Sequence, residues 1–230
     1  ADAAAGLEPP EAPTLKQRTQ FNIMGKALSR VDIPAKVDGS AFYGLDYKTD
    51  DMLFAAIRLA PVFGTKLVSV DATEALKRRG VKKVIELEDS VAVVADNYWR
   101  AKEALKEVSA EFERSDNDSV SSADIAARFD EELTRSEGSK DFEAGDAGAG
   151  LTQASEIIEA SYRVPYLAHA PMEPMNCTVH IQNGRADVWT STQDPLAVRG
   201  RVASVAGLNE RAVTHHPSYL GGGFGRRLPF

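Results

Sequence analysis

The sequence predicts an α+β protein, and three patterns carry that expectation. Apolar runs of strand length, bracketed by breaker residues, recur between residues 52 and 95; capped helical segments begin at Asn97 and Asp194; and an Asn-Gly pair at 183–184 separates two alternating runs.

The first 20 residues, opening "ADAAAGLEPPEAPTLKQ", have no hydrophobic periodicity and read as a disordered leader, with packed structure starting near Phe21. That leader lacks a charged region followed by an apolar core, so it is not a signal peptide. "MLFAAIRLA" and "KLVSVD" are strands around a Pro61–Gly64 turn, and "TEALKRRG" is a helix stopped at Gly80. "VKKVIEL" and "SVAVVAD" are two further strands, the second apolar enough for burial on both faces. A helix capped by Asn97 then runs into a last strand, closing a β-rich unit over 21–113. Residues 114–150 form a linker with one helix, capped at Ser122, followed by the acidic surface stretch "SEGSKDFEAGDAGAG".

A second unit spans 151–230. "SEIIEASYRVPYL" is strand-like, "CTVHIQNGRADVWTS" is a hairpin, and Asp194, Pro195 and Gly207 delimit a helix. "AVTHHPSYL" is a strand leading into a glycine-rich stretch near the end of the chain.

Composition excludes several classes. The 230 residues are 43% hydrophobic and 27% charged, and 27 basic against 34 acidic side chains give a net charge of -7. That balance argues against a nucleic-acid partner and leaves Arg226 and Arg227 as a local basic cluster. No apolar run approaches the ~20 residues of a membrane span. Cys177 is the single cysteine, which excludes an intrachain disulfide and any zinc or iron-sulfur site built from this chain's cysteines.

Chemistry can sit in three places. In "YLAHAPMEPMN", His169 and Glu173 share a loop with Tyr166; they could bind a metal or share a proton, or the loop is a tight crossover whose polar groups serve its own backbone. Gln193, in "TSTQDP", offers a donor and an acceptor where a strand ends and a helix begins, unless it is a solvated turn residue. In "SYLGGGFGRR", glycines let backbone N–H groups approach an anion, Phe224 makes an apolar wall, and Arg226 and Arg227 can pair with phosphate or carboxylate; the alternative is a close-packed bend. The stretch matches neither the Walker loop nor the dinucleotide fingerprint. "HHPSY" lacks nucleophile-elbow glycines, so no catalytic triad is expected there.

The order of these motifs resembles the xanthine dehydrogenase and aldehyde oxidase family of molybdenum hydroxylases. "SRVDIPAKVDGSAFYGLDY", "MLFAAIRLAPVFGTKLVSVD", "GVKKVIEL", "VAVVAD" and "YWRAKEALKEV" are similar to its a/b hammerhead domain. "YRVPYLAHAPMEPMNCTVHI", "VWTSTQDP" and "YLGGGFGRR" resemble the start of the molybdopterin-binding domain, which would be an incomplete α/β domain here. The branch most resembled is the large subunit of isoquinoline 1-oxidoreductase and related aldehyde dehydrogenases.

The resemblance implies a hydroxylase whose molybdenum, held by molybdopterin cytosine dinucleotide, carries a hydroxide to an electron-poor carbon while hydride passes to a sulfido ligand. Gln193 would hydrogen-bond the apical molybdenum oxygen, Gly222, Gly223, Phe224 and Gly225 would lie beside the metal, and Arg226 would serve the pterin side. Tyr166, His169 and Glu173 would face the substrate; no side chain here would ligate the metal directly. Leu228 stands where the xanthine-oxidising branch has a purine-orienting glutamate, which favours an N-heterocycle or an aldehyde over xanthine.

The family's general-base glutamate is expected outside this chain, which alone should be inactive. Expected partners are the rest of the large subunit, a small subunit with two [2Fe-2S] clusters, and a cytochrome c as electron acceptor. Relatives of this branch are often periplasmic; a cytoplasmic location is the alternative. A different class of reading is a scaffold or subunit-contact module without cofactor, and a third is a small enzyme built on His169 and Glu173.

Overall fold

The computed structural model describes residues 6–8, 11–135 and 138–228. Its elements follow the order α1 (Ile33–Asp38), β1 (Phe54–Leu59), β2 (Leu67–Asp71), α2 (Thr73–Lys77), β3 (Val81–Glu86), β4 (Ser90–Ala95), α3 (Tyr98–Lys106), β5 (Ser109–Phe112), α4 (Ser122–Arg135), α5 (Ala147–Gln153), β6 (Thr178–Gln182), β7 (Arg185–Thr190), α6 (Pro195–Ala206) and β8 (Val213–Pro217). The mixture is α+β, as the sequence predicts. Two compact units emerge: Lys48–Ala170, and Ala1–Tyr47 together with Pro171–Phe230.

In the Lys48–Ala170 unit, β4 is the centre of an antiparallel sheet ordered β1-β4-β3, and β2 pairs with β5. The central place explains the unbroken apolar run "SVAVVA", since a strand covered on both faces has no solvent side to fill with polar residues. Helix α3 lays Ala101, Ala104 and Leu105 against Val91, Val93 and Ala95, with Val108 completing the core. Asn97 caps α3 by accepting from the Arg100 N–H at 2.9 Å. At the other end, the Arg58 guanidinium donates to the carbonyls of Leu105 at 2.5 Å and Val108 at 2.8 Å, tying β1 to the last turn of the helix and the residues that follow it.

Several local expectations in this unit change, among them the stop of α2, which ends at Lys77 with Arg78 extended rather than at Gly80. The cap of α4 is Ser121 rather than Ser122: its hydroxyl accepts from the Asp124 N–H while the Asp124 carboxylate accepts from the Ser121 N–H, a reciprocal box that Ser122, already inside the helix, cannot form. The stretch 155–167 is not a strand. Ile158, Tyr162 and Val164 stand exposed in it, and a strand forms only where a neighbour accepts its ladder of hydrogen bonds.

In the other unit, β6 and β7 form the expected hairpin, with Asn183 (φ 51°) and Gly184 (φ 72°) both left-handed as a two-residue turn of this kind requires. Strand β8 pairs parallel to β7, and the crossover between them is α6, whose Asp194 side chain caps the Ala197 N–H at 3.0 Å and whose chain leaves at Gly207 (φ 65°). Ala186, Val188, Ala203 and Val213 make its small core.

Described residues before Ala41 are solvent-facing or partly covered, so burial begins about twenty residues later than Phe21. What anchors this arm is the far end of the chain: the Tyr219 N–H donates to the Phe42 carbonyl at 3.2 Å, and the Tyr47 ring stacks on Trp189 at 4.1 Å between centroids. Residues 1–5 and 9–10 of the expected leader lie outside the described residues; Gly6–Glu8 and Glu11–Gln20 are exposed, with one 3-10 turn at Arg18–Gln20.

Candidate functional site

Because β7 and β8 run parallel, both end at the same edge of their sheet, where Thr190 pairs with Pro217. Three loops meet there. Residues 191–194 lead from β7 into α6, residues 218–228 follow β8, and residues 171–177 lead into β6, whose first residue pairs with Trp189. Loops at the C-terminal ends of parallel strands are held by a rigid scaffold yet stay open on one side, a favourable place for a ligand.

The loops are locked by one buried ion pair. The Arg227 side chain is fully buried and donates from Nη2 to the Glu173 carboxylate at 2.9 Å and to the Glu173 carbonyl at 2.8 Å. Its Nη1 donates to the Ser191 hydroxyl at 2.5 Å and its Nε to the Gly222 carbonyl at 2.8 Å. The Glu173 carboxylate also accepts from the Gly221 N–H at 3.0 Å, from Asn176 Nδ2 at 2.9 Å and from the Ser191 hydroxyl at 3.2 Å. Burial pushes the Glu173 carboxyl up, but the hydrogen bonds from Asn176 and Gly221, the Arg227 charge and the Ser191 hydroxyl outweigh it, and the group titrates below the ordinary glutamate range. Glu173 is therefore a carboxylate at neutral pH with all its partners donors.

Above this pair, Gln193 braces the glycine loop. Its Oε1 accepts from the N–H groups of Gly225 at 3.0 Å and Arg227 at 3.4 Å, and its own N–H donates to the Arg227 carbonyl at 3.1 Å. Two N–H donors converging on one end of the amide require that end to be the oxygen, so Nε2 points away from them. Gln193 is exposed, and among the described residues Nε2 has no acceptor.

The glycines answer to geometry. A Cβ on Gly223 would stand 2.6 Å from Gln193 Oε1, and one on Gly221 would stand 2.3 Å from the Glu173 Cβ. Gly222 (φ 104°) and Gly225 (φ 94°) are left-handed, as is Phe224 (φ 55°), a conformation a side chain of that size seldom adopts. The N–H groups of Gly222, Gly223 and Phe224 make no hydrogen bond among the described residues, whereas those of Gly221, Gly225, Arg226, Arg227 and Leu228 all do. Three consecutive donors without a partner among the described residues, in a segment with left-handed backbone at 222, 224 and 225, suit an anion.

The residues singled out from sequence fall into two groups. Gln193, Gly222, Gly223, Phe224, Gly225 and Arg226 lie in one loop cluster, with Phe224 and Arg226 exposed, and Glu173 sits beneath it. Tyr166 and His169 belong to the other compact unit, where both are exposed and Tyr166 packs against Phe129. Arg227, read with Arg226 as a partner for an anion, is instead committed to Glu173. Asn176 and Ser191 were not singled out as members of such a pair; the available signal was that a buried arginine requires a carboxylate. Among the described residues, no three His, Cys, Asp or Glu side chains gather to hold a metal ion. His215 and His216 are engaged structurally, by the Thr190 carbonyl at 2.9 Å and the Asp187 carboxylate at 2.7 Å.

Residues 129–229 match the family model described as the molybdopterin cofactor-binding domain. Over 226 residues the chain is 30% identical to isoquinoline 1-oxidoreductase subunit beta of Brevundimonas diminuta, covering 94% of this chain and 29% of that protein. It is 28% identical to the nicotinate dehydrogenase large molybdopterin subunit of Eubacterium barkeri, covering 90% of this chain and 56% of that protein. The crystal structure of aldehyde oxidoreductase from Desulfovibrio gigas shares the fold with a TM-score of 0.64 at 20% identity, over 86% of this chain and 27% of that one. The chain thus spans under a third of the isoquinoline relative. No described helix is long and apolar enough to cross a membrane.

Proposed function

We propose that the chain is part of the large subunit of a molybdenum hydroxylase and that its 191–193 and 221–228 loops form one wall of a molybdopterin site, a reading supported by the match of residues 129–229 to the molybdopterin cofactor-binding domain. The complete enzyme would hydroxylate an N-heterocycle or oxidise an aldehyde, taking oxygen from water. The observation that carries this reading is the row of unpaired N–H groups at Gly222, Gly223 and Phe224, beside an amide whose Nε2 is turned outward. These donors fit an oxo-anionic group, and the missing Cβ atoms let the loop pack directly on Glu173, Pro171 and Gln193.

In this reading Gln193 and the three N–H groups hold and orient the cofactor, and exposed Arg226 neutralises negative charge on its pterin side. The bound molybdenum cofactor would supply the two-electron chemistry. Phe224, held in a left-handed turn, presents its ring as an apolar wall. Leu228 has no hydrogen-bonding side chain, which suits a less polar substrate than a purine.

The same reading assigns the general-base glutamate to another part of the large subunit, the cofactor to the cytosine dinucleotide form, and the electron exit to two [2Fe-2S] clusters on a small subunit with a cytochrome c acceptor. It keeps 21–113 as the a/b hammerhead domain and 151–230 as the start of the cofactor domain, joined by 114–150. Tyr166 and His169 remain substrate-pocket proposals and Glu173 becomes a supporting residue. Periplasmic location belongs to the proposal as well, to be read by cell fractionation.

The test is metal and nucleotide analysis of the complete large subunit purified with its partner. Molybdenum and cytosine dinucleotide in equal amount, lost together in Gln193→Ala, support the site. Their absence from the wild-type complex leaves only the scaffold reading.

A further inference from the structure

Glu173 and Arg227 are 54 residues apart, and their side chains are 5% and 0% exposed, so neither can reach a ligand directly. Together they nevertheless touch every loop of the site. Arg227 ties the Gly222 carbonyl, the Ser191 hydroxyl and the Glu173 backbone to one planar fork, and Glu173 holds the Gly221 N–H. The backbone of Arg227 closes the circuit: its carbonyl accepts from the Gln193 N–H and the Thr192 hydroxyl, each at 3.1 Å, and its N–H donates to Gln193 Oε1.

We propose that Glu173 and Arg227 are positioning residues, which set the backbone of the 221–228 loop and thereby aim its N–H groups and the Gln193 amide. This inference rests on the reading of the loop as a molybdopterin wall. Neither residue is an anion ligand or a proton-transfer group in it: the Arg227 charge is balanced by Glu173, and the Glu173 oxygens face only donors. The positive field at the loop surface then comes from backbone dipoles and Arg226.

The geometry predicts which conservative changes fail. A lysine at 227 can reach Glu173 but cannot span Glu173, Ser191 and the Gly222 carbonyl with one fixed fork. A glutamine at 173 must turn its amide nitrogen towards one of the donors that the carboxylate accepts, leaving an unmatched pair in a buried site.

The experiment uses the complete, assembled enzyme with Arg227→Lys, Glu173→Gln and the milder Ser191→Ala, which removes one partner of Arg227 and leaves both charges. Molybdenum content after dialysis, the electron paramagnetic resonance signal of the half-reduced metal, the KM and kcat split, and the thermal midpoint are measured. Arg227→Lys and Glu173→Gln should weaken cofactor retention about ten-fold or more, the usual cost of disturbing groups that orient ligands. Both should shift the resonance signal and lower kcat with little change in KM, and Ser191→Ala should shift the signal in the same direction by less. Full loading with an unchanged signal, alongside a lower thermal midpoint only, overturns the proposal by making the pair a fold-stabilising contact. If the two charge variants do not fold, Ser191→Ala decides by the same signal. A wild-type enzyme without molybdenum sinks the site reading itself, a result separate from any behaviour of the variants.

Discussion

Gln193 Oε1 accepts the Gly225 N–H at 3.0 Å, which makes one end of that amide a brace and leaves the other end as a donor. The two roles separate under substitution. Gln193→Glu keeps an acceptor for the Gly225 and Arg227 N–H groups but replaces the outward donor by a negative oxygen; Gln193→Ala removes both. In the complete enzyme, Gln193→Glu should lose cofactor while the Gly225 and Arg227 amides keep their hydrogen-exchange protection. Gln193→Ala should lose both. Unprotected amides in Gln193→Glu would contradict the brace.

Gly221→Ala tests close packing beneath the same loop. The new Cβ would meet the Glu173 Cβ at 2.3 Å and its backbone N at 3.2 Å, and the backbone cannot yield as a flexible side chain would. Overpacking of this kind costs about 1–3 kcal/mol, measurable by denaturant titration. Gly184→Ala, where a Cβ meets nothing within 4 Å, carries only the strain of its left-handed turn (φ 72°). Its loss should be the smaller of the two.

The acid side of the stability curve should report Glu173. Its carboxyl titrates below the ordinary range when folded, so the folded state binds fewer protons there than the unfolded state does. The contribution is complete above the unfolded glutamate value, about 4.3, and is lost as pH falls through the folded value. Wild type and Glu173→Gln should therefore differ in unfolding free energy at neutral pH and converge at strongly acid pH. A constant difference across that range would argue against an ionised Glu173.

Arg58→Met addresses the Lys48–Ala170 unit. It keeps an unbranched side chain but removes two donors, one to the Leu105 carbonyl in the last turn of α3 and one to the Val108 carbonyl just beyond it. Charged hydrogen bonds of this type contribute about 1.5–3 kcal/mol each, and losing both should lower the thermal midpoint. Because Arg58 lies outside the cofactor loops, molybdenum content of the folded enzyme should be unchanged.

Short-range chemistry was legible from the residues alone. Asn183-Gly184 dictates a turn because both positions must be left-handed, Asp194-Pro195 and Gly207 mark the ends of α6, and the apolar run 90–95 marks a strand covered on both faces. Each signal acts over a few residues, so no distant partner is needed to read it. The glycine loop and Gln193 were recognisable by residue type for the same reason. What remained hidden depends on partners far along the chain. The two adjacent arginines look equivalent, yet tertiary structure buries Arg227 against Glu173 and leaves Arg226 exposed, because only one can enter a site with a carboxylate to offset its desolvation. Likewise, the apolar residues of 155–167 suggest a strand, but among the described residues no neighbour takes their backbone hydrogen bonds, whereas the arm before Tyr47 finds Tyr219 and Trp189 much later in the sequence. Sequence by itself determined the local conformations and the kind of chemistry on offer; tertiary structure decided which charged group is buried and which backbone donors stay open, since both depend on what surrounds them in space.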